Sequence, residues 1–475
     1  MVGVAQLVRA LGCGPGGCGF KSRRSPHIII SLLFIGWLCF PAISRAFDIQ
    51  PLPPFLKEDR VLILAPHPDD EAIACAGVIQ NARDSGAQVK VVCFTNGDHN
   101  EWAFIVYEKR LTFRTREFVH MGEVRGKETL SALQVLKFAE GAVTFLGYPD
   151  AGTLEIFTKY WGDTKPFHDL LTRISNVPYI EDYSPGAPYV GESVLRDLEK
   201  ILLEYRPNKI FVSHPADTNR DHRALYLFLR IALWDLSGQL QQPQVFPYLI
   251  HVPNWPKPRG SYPDLRLDPP PNLADSEIRW RSLELTKPEI DAKKQAILLY
   301  RSQIEYNPPY LISFARMNEL FGDYPAIKIK NMAKDNIVWS NTVVESQEAT
   351  PGKKSISRLV YALSDNNLLI KITLQRKIDM DFGVSMYVIG YKKARDFASL
   401  PKLHISIGIN GLKVTDKKLP ISSKPVVLSH QGSDILLKVP MNMLGDPDYL
   451  LVAARTNIKD LSFDHTAWRV LEVEK

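Results

Sequence analysis

The sequence contains little cysteine. Only five of its 475 residues are cysteine, and three of them, Cys13, Cys18 and Cys39, lie in an N-terminal segment that we expect to be removed. The two that remain, Cys75 and Cys93, lack the spacing of a zinc-binding cysteine cluster. We predict that they are buried, unpaired thiols, with a disulfide between them as the alternative. A cysteine-based metal centre and a disulfide-stapled scaffold are therefore excluded.

The body of the chain also lacks an excess of either charge. The formal net charge is +6, and residues 1–46 carry +5 of it with no acidic residue, which leaves +1 for the rest. Proteins that bind nucleic acid through the phosphate backbone need clustered positive charge. We therefore predict no nucleic-acid partner.

No apolar run reaches the roughly 20 residues that a membrane-spanning helix needs. The longest, residues 28–43, follows a basic cluster and precedes Ser44-Arg45-Ala46, which are the parts of a secretory signal and its cleavage site. We predict an exported protein, periplasmic or extracellular. An uncleaved N-terminal anchor, giving membrane contact through this segment, is the alternative. Residues 1–27 suit neither a fold nor a signal, so we expect translation to start near the basic cluster.

Strand and helix patterns alternate from residue 60 to residue 303, which predicts an α/β fold: a Rossmann-like, mostly parallel sheet with helices on both faces. From residue 356 onward, apolar residues recur with period two between turn residues, which is typical of an all-β sandwich. The predicted organisation is an N-terminal extension with a signal peptide (1–46), an α/β domain (47–325), a linker (326–354) and a β-sandwich domain (355–475).

The strongest functional pattern follows the first strand of the α/β domain. Residues 61–65 form a short apolar run, and Pro66 and Pro68 end it. His67, Asp69 and Asp70 come directly at this end, before a helical pattern begins. Open α/β sheets place their binding crevice at the carboxyl ends of the strands, so these side chains are predicted to lie in a functional site.

Two other predicted strands end in polar residues that could share this site. The third strand is followed by Asp150, and the fourth by His214, Asp217, Asn219, Asp221 and His222. Two imidazoles and a carboxylate form a three-ligand set that leaves positions open on a divalent metal, as hydrolysis requires. Asp70 or Asp221 alone could be a helix N-cap. Capping does not explain two such clusters at the strand ends of one sheet.

These residues also resemble a known family. The segment Ala65–Glu71, which reads APHPDDE, is similar to the signature of the N-acetylglucosaminylphosphatidylinositol deacetylase (PIG-L or LmbE-like) family. Further similarities cover residues 58–320 and leave the β domain outside; they are Asp221-His222, Tyr148-Pro149-Asp150, Arg125 with Glu128, Lys294–Ile297, and Ser302-Gln303.

The resemblance implies a metal-dependent N-deacetylase that acts on an N-acetylglucosamine-type sugar. The roles carried over by position are zinc binding by His67, Asp70 and His222, general-base catalysis by Asp69, and binding of sugar hydroxyls by Arg125 and Asp150. Imidazole and carboxylate ligands also suit Fe(II).

One position departs from the family pattern. Many members have a histidine three residues before the last metal ligand, where it stabilises the oxyanion, and this chain has Asn219 there. An asparagine can donate a hydrogen bond but supplies neither charge nor a proton. His214 is the candidate to replace the missing imidazole, although it could simply end a strand.

The leading hypothesis is an exported, zinc-dependent deacetylase of a glycan or glycoconjugate. The β domain would be a carbohydrate-binding module or a brace, and we expect its aromatic residues Tyr387, Tyr391 and Trp468 to be core rather than a sugar platform. A non-catalytic glycan-binding protein with the same fold and metal is the alternative. A nucleotide-binding dehydrogenase is disfavoured because no glycine-rich turn follows the first strand.

Signal cleavage gives the first testable prediction. Removal of residues 1–46 exposes Phe47 as the mature N-terminus, because Ala46 ends the small-x-small cleavage site. Mass spectrometry of the protein isolated from its native host is expected to find N-terminal peptides that begin at Phe47. Peptides from residues 1–20 would contradict this interpretation.

Overall fold

The computed structural model describes residues 48–474 with several internal gaps. The ranges outside the description are 1–47, 101–104, 108, 110–113, 139, 163, 274–276, 306, 341–354, 376, 379–381, 459–460 and 475. The predicted signal segment therefore lies outside the described residues, as does part of the predicted linker.

The α/β domain is built on one eight-stranded sheet with helices on both faces. Its strands are β1 (Ile49–Pro51), β2 (Arg60–Ala65), β3 (Gln88–Thr95), β4 (Val143–Tyr148), β5 (Lys209–Ser213), β6 (Gln244–Tyr248), β7 (Arg279–Glu284) and β8 (Asn318–Asp323). Its helices are α1 (Asp70–Asp84), α2 (Thr115–Val135), α3 (Thr153–Lys159), α4 (Gly191–Tyr205), α5 (Arg220–Asp235), α6 (Lys287–Leu298), α7 (Arg301–Ile304) and α8 (Pro308–Ile312).

Strand β2 lies at the centre of this fold because its side chains are apolar on both faces. Val61, Ile63 and Ala65 pack under α1, α2 and α6, while Leu62 and Leu64 pack under α3, α4 and α5. The strand order is β1-β7-β8-β6-β5-β2-β3-β4. The chain moves outward through β3 and β4 on one side of β2, then returns to β5 on the other. The β2–β5 boundary is thus the point where the strand order reverses and where such sheets bind ligands.

The sheet confirms the predicted α/β class, with one strand reversed. β8 pairs antiparallel with both β6 and β7, whereas the remaining neighbours are parallel. The connection between β4 and α4 begins with the short helix α3. The loop beyond α3 reaches the strand ends, where Tyr179 donates a hydrogen bond to Asp98 (2.6 Å).

The second domain is all-β, as predicted. Its strands are β9 (Ile327–Met332), β10 (Ile356–Ser364), β11 (Asn367–Leu374), β12 (Phe382–Tyr391), β13 (Lys402–Gly408), β14 (Gly411–Asp416), β15 (Leu419–Ile421), β16 (Val427–Gln431), β17 (Asp434–Pro440), β18 (Tyr449–Ile458), β19 (Leu461–His465) and β20 (Arg469–Glu474). They form a sheet of order β15-β14-β13-β12-β18-β20-β9-β10-β11-β17-β16, with β19 added to β18.

This long sheet curls so that its two halves enclose one core. Ile370 and Leu437 from one half belong to the same buried cluster as Met386 and Ile405 from the other, which is the packing of a sandwich. Strand β9 joins the halves by pairing in parallel with β20 and β10. The segment 326–354 was expected to be a linker, but residues 327–332 are this strand, because alternating isoleucines bury one of its faces.

The sandwich packs firmly against the α3–α5 face of the α/β domain. Phe157 contacts Phe397 and Trp468 at ring distances of 5.9 and 6.5 Å. Trp234 stacks on Tyr449 at 4.6 Å. The interface residues join the buried cluster of this face, so the two domains share a core.

Two predictions about individual side chains are confirmed. Tyr391 and Trp468 are buried at this interface, and Tyr387 is partly buried. Cys75 and Cys93 are buried free thiols. Among the described helices, none combines the length and apolarity needed to span a membrane.

The shared core gives a second prediction. Replacing Phe157 by alanine removes contacts to both domains and leaves a cavity, so it should destabilise the protein by about 3–5 kcal/mol. Urea unfolding followed by fluorescence would measure this loss, with both domains unfolding in one transition. Ile180→Ala, at a side chain that is 85% exposed, is the control and should change little. Two transitions, one of them unaffected by Phe157→Ala, would contradict the shared core.

Candidate active site

A cavity of about 420 Å³ opens at the carboxyl ends of β2, β4 and β5. Its lining comes from the loops after β2 to β6, from α1 and α2, and from the region of α7 and α8. The lining residues are His67, Asp69, Asp70, Ile73, His99, Asn100, Arg125, Asp150, Ala151, Asn219, Ile250, His251, Gln303, Asn307, Tyr310 and Leu311. The cavity thus lies at the strand-order reversal, where the sequence predicts the site.

The three predicted metal ligands converge beneath this cavity. Asp70 Oδ2 lies 3.2 Å from His67 Nδ1 and 3.1 Å from His222 Nε2. All three side chains are buried, and one potential ligand atom from each lies within 4.8 Å of the others. His67 and Asp70 come from the turn that opens α1, and His222 from the first turn of α5. The β2–β5 pairing brings these two turns together.

Each candidate ligand imidazole faces a carboxylate with its other nitrogen. His222 Nδ1 lies 3.1 Å from Asp217 Oδ2, and Asp217 in turn accepts hydrogen bonds from the Ile250 and His251 backbone N–H groups. His67 Nε2 lies 3.3 Å from Asp150 Oδ1. Carboxylates in this position fix the ring orientation and tautomer of metal-binding histidines.

The Asp221 side chain contacts His67 and the start of α3, and it does not cap its own helix, α5. Its Oδ2 lies 3.4 Å from His67 Nε2 and accepts a hydrogen bond from Ala151 N, while Oδ1 accepts from the backbone N–H and the hydroxyl of Thr153. The cap of α5 is instead Asn219, whose side-chain oxygen accepts from Asp221 N at 2.8 Å. The structure therefore assigns the N-cap of α5 to Asn219 and places Asp221 where it can orient the His67 imidazole.

The charge of this cluster suits a divalent cation. Five buried carboxylates surround two imidazoles and one guanidinium; the carboxylates are Asp69, Asp70, Asp150, Asp217 and Asp221. Burial by itself lowers the pKa of His222, but Asp217 and Asp70 outweigh it and raise the pKa to about 9. Likewise, burial opposes protonation of His67, and Asp150 leads the carboxylates that raise its pKa well above the ordinary value. The cluster demands positive charge that a metal ion would supply.

Asp69 stands beside the ligands without joining them. Its backbone has φ 128°, a left-handed conformation that is costly for a residue with a side chain. This conformation sets Asp69 in the cavity wall, where its Oδ2 lies 3.3 Å from an Arg125 nitrogen. Burial raises the pKa of Asp69 to about 8, an effect that the Arg125 charge opposes.

Arg125 and Asp150 line the cavity, but both have partners inside the protein. Arg125 donates to the carbonyl oxygens of Gly97 (2.8 Å) and Pro68 (2.7 Å), so it holds the loop that carries Asp69. Gly97 has φ +68°, and a Cβ there would approach the guanidinium to 2.0 Å. Asp150 accepts from His99 N at 3.1 Å in addition to its contact with His67. Binding of sugar hydroxyls by these two residues stays a prediction.

The two candidates for the missing oxyanion group differ in position. Asn219 lines the cavity. His214 does not: it is fully buried, its Nδ1 accepts a hydrogen bond from Ala216 N (3.0 Å), and its ring packs near Trp280 and Tyr324. The catalytic assignment of His214 is therefore corrected to a structural one, in which the imidazole shapes the turn after β5.

Several cavity residues were missed by sequence reasoning. His251 follows β6, and its ring centre lies 4.7 Å from that of His222. Burial lowers the pKa of His251 to about 4, so it is neutral at neutral pH. Tyr310 and Asn307 come from the segment around α8. Only Gln303 carried a signal, through the family resemblance of Ser302-Gln303.

One long-range contact joins two of the residues that resemble the deacetylase family, Glu128 and Ser302. Glu128 on α2 accepts hydrogen bonds from the backbone N–H (2.9 Å) and hydroxyl (2.6 Å) of Ser302 on α7. This contact fixes α7 beside the cavity, where the neighbouring Gln303 contributes to the lining.

Comparisons with known proteins agree with the family resemblance over part of the chain. Residues 62–233, which are 172 of the 475 residues, match the family model described as PIG-L: GlcNAc-PI de-N-acetylase. A search of curated proteins found no match.

Solved structures show weaker similarity. An N,N'-diacetylchitobiose deacetylase from Pyrococcus horikoshii is 20% identical, with 55% of this chain and 82% of that chain covered and a TM-score of 0.34. A conserved protein from Thermus thermophilus gives 19% identity, coverage of 54% and 84%, and a TM-score of 0.32.

The protonated imidazoles give a third prediction. Without metal, His67 and His222 hold protons at pH 7, and a divalent ion must displace them, so Zn(II) binding should release on the order of two protons. His214, whose pKa burial lowers to about 3, contributes none. Affinity should therefore rise with pH at least to about 9, the pKa of His222. Calorimetric titration of the chelator-treated protein in buffers of different ionisation enthalpy would measure both effects. Zn(II) binding with no proton release at pH 7 would contradict this account.

Proposed function

We propose that the protein is a metal-dependent N-deacetylase that hydrolyses the acetamide of an N-acetylglucosamine-type sugar. The observation that carries the proposal is the position of Asp69, a carboxylate held in the cavity wall beside the His67–Asp70–His222 cluster. The match of residues 62–233 to the PIG-L family model supports the same chemistry.

The His67–Asp70–His222 cluster would hold the ion, with zinc as the first candidate and Fe(II) as the second. Bound there, the ion would polarise the amide carbonyl and lower the pKa of a water molecule. Asp217 would keep His222 in the ligating tautomer, and Asp150 with Asp221 would do the same for His67.

Asp69 would be the general base and then the general acid. Its carboxylate takes a proton from the water that attacks the acetamide carbon, and it returns that proton to the departing sugar amine as the C–N bond breaks. Acetate and the free amino sugar are the products. Arg125 keeps the carboxylate in place and opposes the rise of its pKa, which leaves more Asp69 ionised and able to accept the proton.

The carbonyl oxygen gains negative charge in this step, and two groups are placed to stabilise it. The Asn219 amide and the neutral His251 imidazole both line the cavity near His222. Either could donate a hydrogen bond to the developing oxyanion. In this proposal His251 has the oxyanion-stabilising role that the sequence had suggested for His214.

We extend the proposal to an exported enzyme that acts on a glycan or glycoconjugate. This step rests on the signal-like residues 21–46 and on the fused β-sandwich. The buried aromatic residues of the sandwich support its role as a brace.

Asn219 keeps a second function under consideration, a glycan-binding protein that holds metal without turnover. Its side-chain oxygen is committed to capping α5, so only its amide N–H₂ group can serve a substrate. Binding of N-acetylated oligosaccharides without acetate release would favour this function.

The fourth prediction tests the role of Asp69. Asp69→Asn preserves shape but removes the base, so acetate release should fall by about 10²–10⁴-fold while bound metal is retained. The assay would use a panel of N-acetylglucosamine conjugates and oligosaccharides with the Zn(II)-loaded protein, before and after chelation.

Asp98→Asn is the matched control, because Asp98 is a buried carboxylate of the adjacent loop bonded to Tyr179 rather than to the cluster. It should retain acetate release. Acetate release that persists at the wild-type rate after chelation, and also in the Asp69→Asn variant, would overturn the mechanism.

A further inference from the structure

A second cavity, of about 210 Å³, lies between the α/β domain and the sandwich. The α/β domain contributes residues from α3 and from the start of α5. The sandwich contributes residues from β12, β18 and β19 and from the segment that follows. The full lining is Leu154, Glu155, Thr158, Thr218, Arg220, Arg223, Tyr387, Ala453, Ala454, Arg455, His465, Thr466 and Trp468.

Positive charge dominates this cavity. Arg220, Arg223 and Arg455 line it, and the one acidic residue in the lining, Glu155, is paired with Lys159 at 2.5 Å. Within the described part of the chain, neither Arg220 nor Arg455 makes an ion pair. Arg455 is oriented by a hydrogen bond from its Nε to the Ser385 hydroxyl (3.0 Å), which leaves its terminal nitrogens for other partners.

A half-buried imidazole in the cavity lining adds an independent sign of a missing ligand. The Nε2 atom of His465 is buried and has no hydrogen-bond partner among the described residues. Burial, together with the charges of Arg223, Arg220 and Arg455, lowers the pKa of His465 well below its ordinary value. A buried polar atom without a partner is costly unless something binds it.

The second cavity adjoins the candidate active site through two short segments. Asn219 lines the active-site cavity, and its neighbours Thr218 and Arg220 line the second one. Ala151 lines the first, and Leu154 and Glu155 line the second. An extended molecule could therefore reach both cavities by crossing this shared wall.

We propose that the second cavity is a subsite for an anionic group on the glycan substrate, a carboxylate or a sulfate ester. Arginine is suited to both because its planar guanidinium donates paired hydrogen bonds to such oxyanions. This inference rests on the proposed deacetylase for its substrate, but the binding itself does not depend on turnover. It gives the sandwich a function, because Arg455 and His465 come from it.

Binding is measured first, in the Asp69→Asn background, by calorimetry. The probe is a tetrasaccharide of alternating N-acetylglucosamine and glucuronic acid, and the matched control ligand is the same tetrasaccharide with its carboxyls reduced to alcohols. The acidic ligand should bind about tenfold more tightly than the reduced one. A 6-sulfated N,N'-diacetylchitobiose against the unsulfated sugar tests the ester in the same way.

The variant Arg455→Gln should remove this preference, and Arg395→Gln, at an exposed arginine of the sandwich outside the cavity, should keep it. The preference should also shrink as salt is raised, because exposed charge attraction is screened. Equal affinity for acidic and neutral ligands of both kinds, or a preference that survives Arg455→Gln, would overturn the proposal.

Turnover is measured separately on the wild-type protein. The ratio of kcat/KM for acidic over reduced tetrasaccharide should fall about tenfold in Arg455→Gln, with the change mainly in KM. Acid-selective binding without acetate release would overturn the deacetylase and leave the subsite standing. Acetate release without acid selectivity would overturn the subsite and leave the deacetylase standing.

Discussion

The structure depends on one electrostatic constraint, the burial of five carboxylates around two imidazoles at the β2–β5 boundary. Charged groups cost much free energy in a buried site unless opposite charge compensates them. Here the compensation comes from Arg125 and from His67 and His222. Burial lowers the pKa of both imidazoles, but the surrounding carboxylates outweigh it and raise the pKa above its ordinary value. The surrounding loops are organised to keep this cluster together: Asp221 caps α3, and Arg125 holds the loop of Asp69.

The segment between β5 and α5 links the candidate site to the second domain. The start of α5 takes part in both cavities, since its cap Asn219 lines the first and its residues Arg220 and Arg223 line the second. The sandwich contacts this region directly, since Trp468 N donates to Pro215 O at 3.2 Å and Trp468 packs on Phe157. The sandwich thus braces the helices that position the candidate metal ligands, and it contributes an arginine and an imidazole to the second cavity.

The sequence predicted what local pattern controls. The apolar run 61–65, its proline stop and the polar residues after it located the site, and the period-two strands located the sandwich. The sequence pattern did not predict which segments pair over long distances in the chain. β8 is short and polar at both ends, so its reversed direction depends on its neighbours. His251 stands alone after β6, and long-range hydrogen bonds of its backbone with Asp217 and Thr218 hold it at the site. His214 was the sequence's candidate for the missing oxyanion imidazole, but the turn after β5 directs it into the core.

The contrast between these two histidines also provides the most direct test of the central claim, that the buried cluster binds a divalent cation. Both are buried imidazoles, His214 directly after β5 and His222 on the first turn of α5, and of the two only His222 faces Asp70. The measurement is the zinc content per chain of wild-type, His222→Ala and His214→Ala proteins loaded in parallel, determined by inductively coupled plasma mass spectrometry. We predict about one ion in the wild type and in His214→Ala and none in His222→Ala. Zinc retained by folded His222→Ala, or absent from all three, would contradict the account.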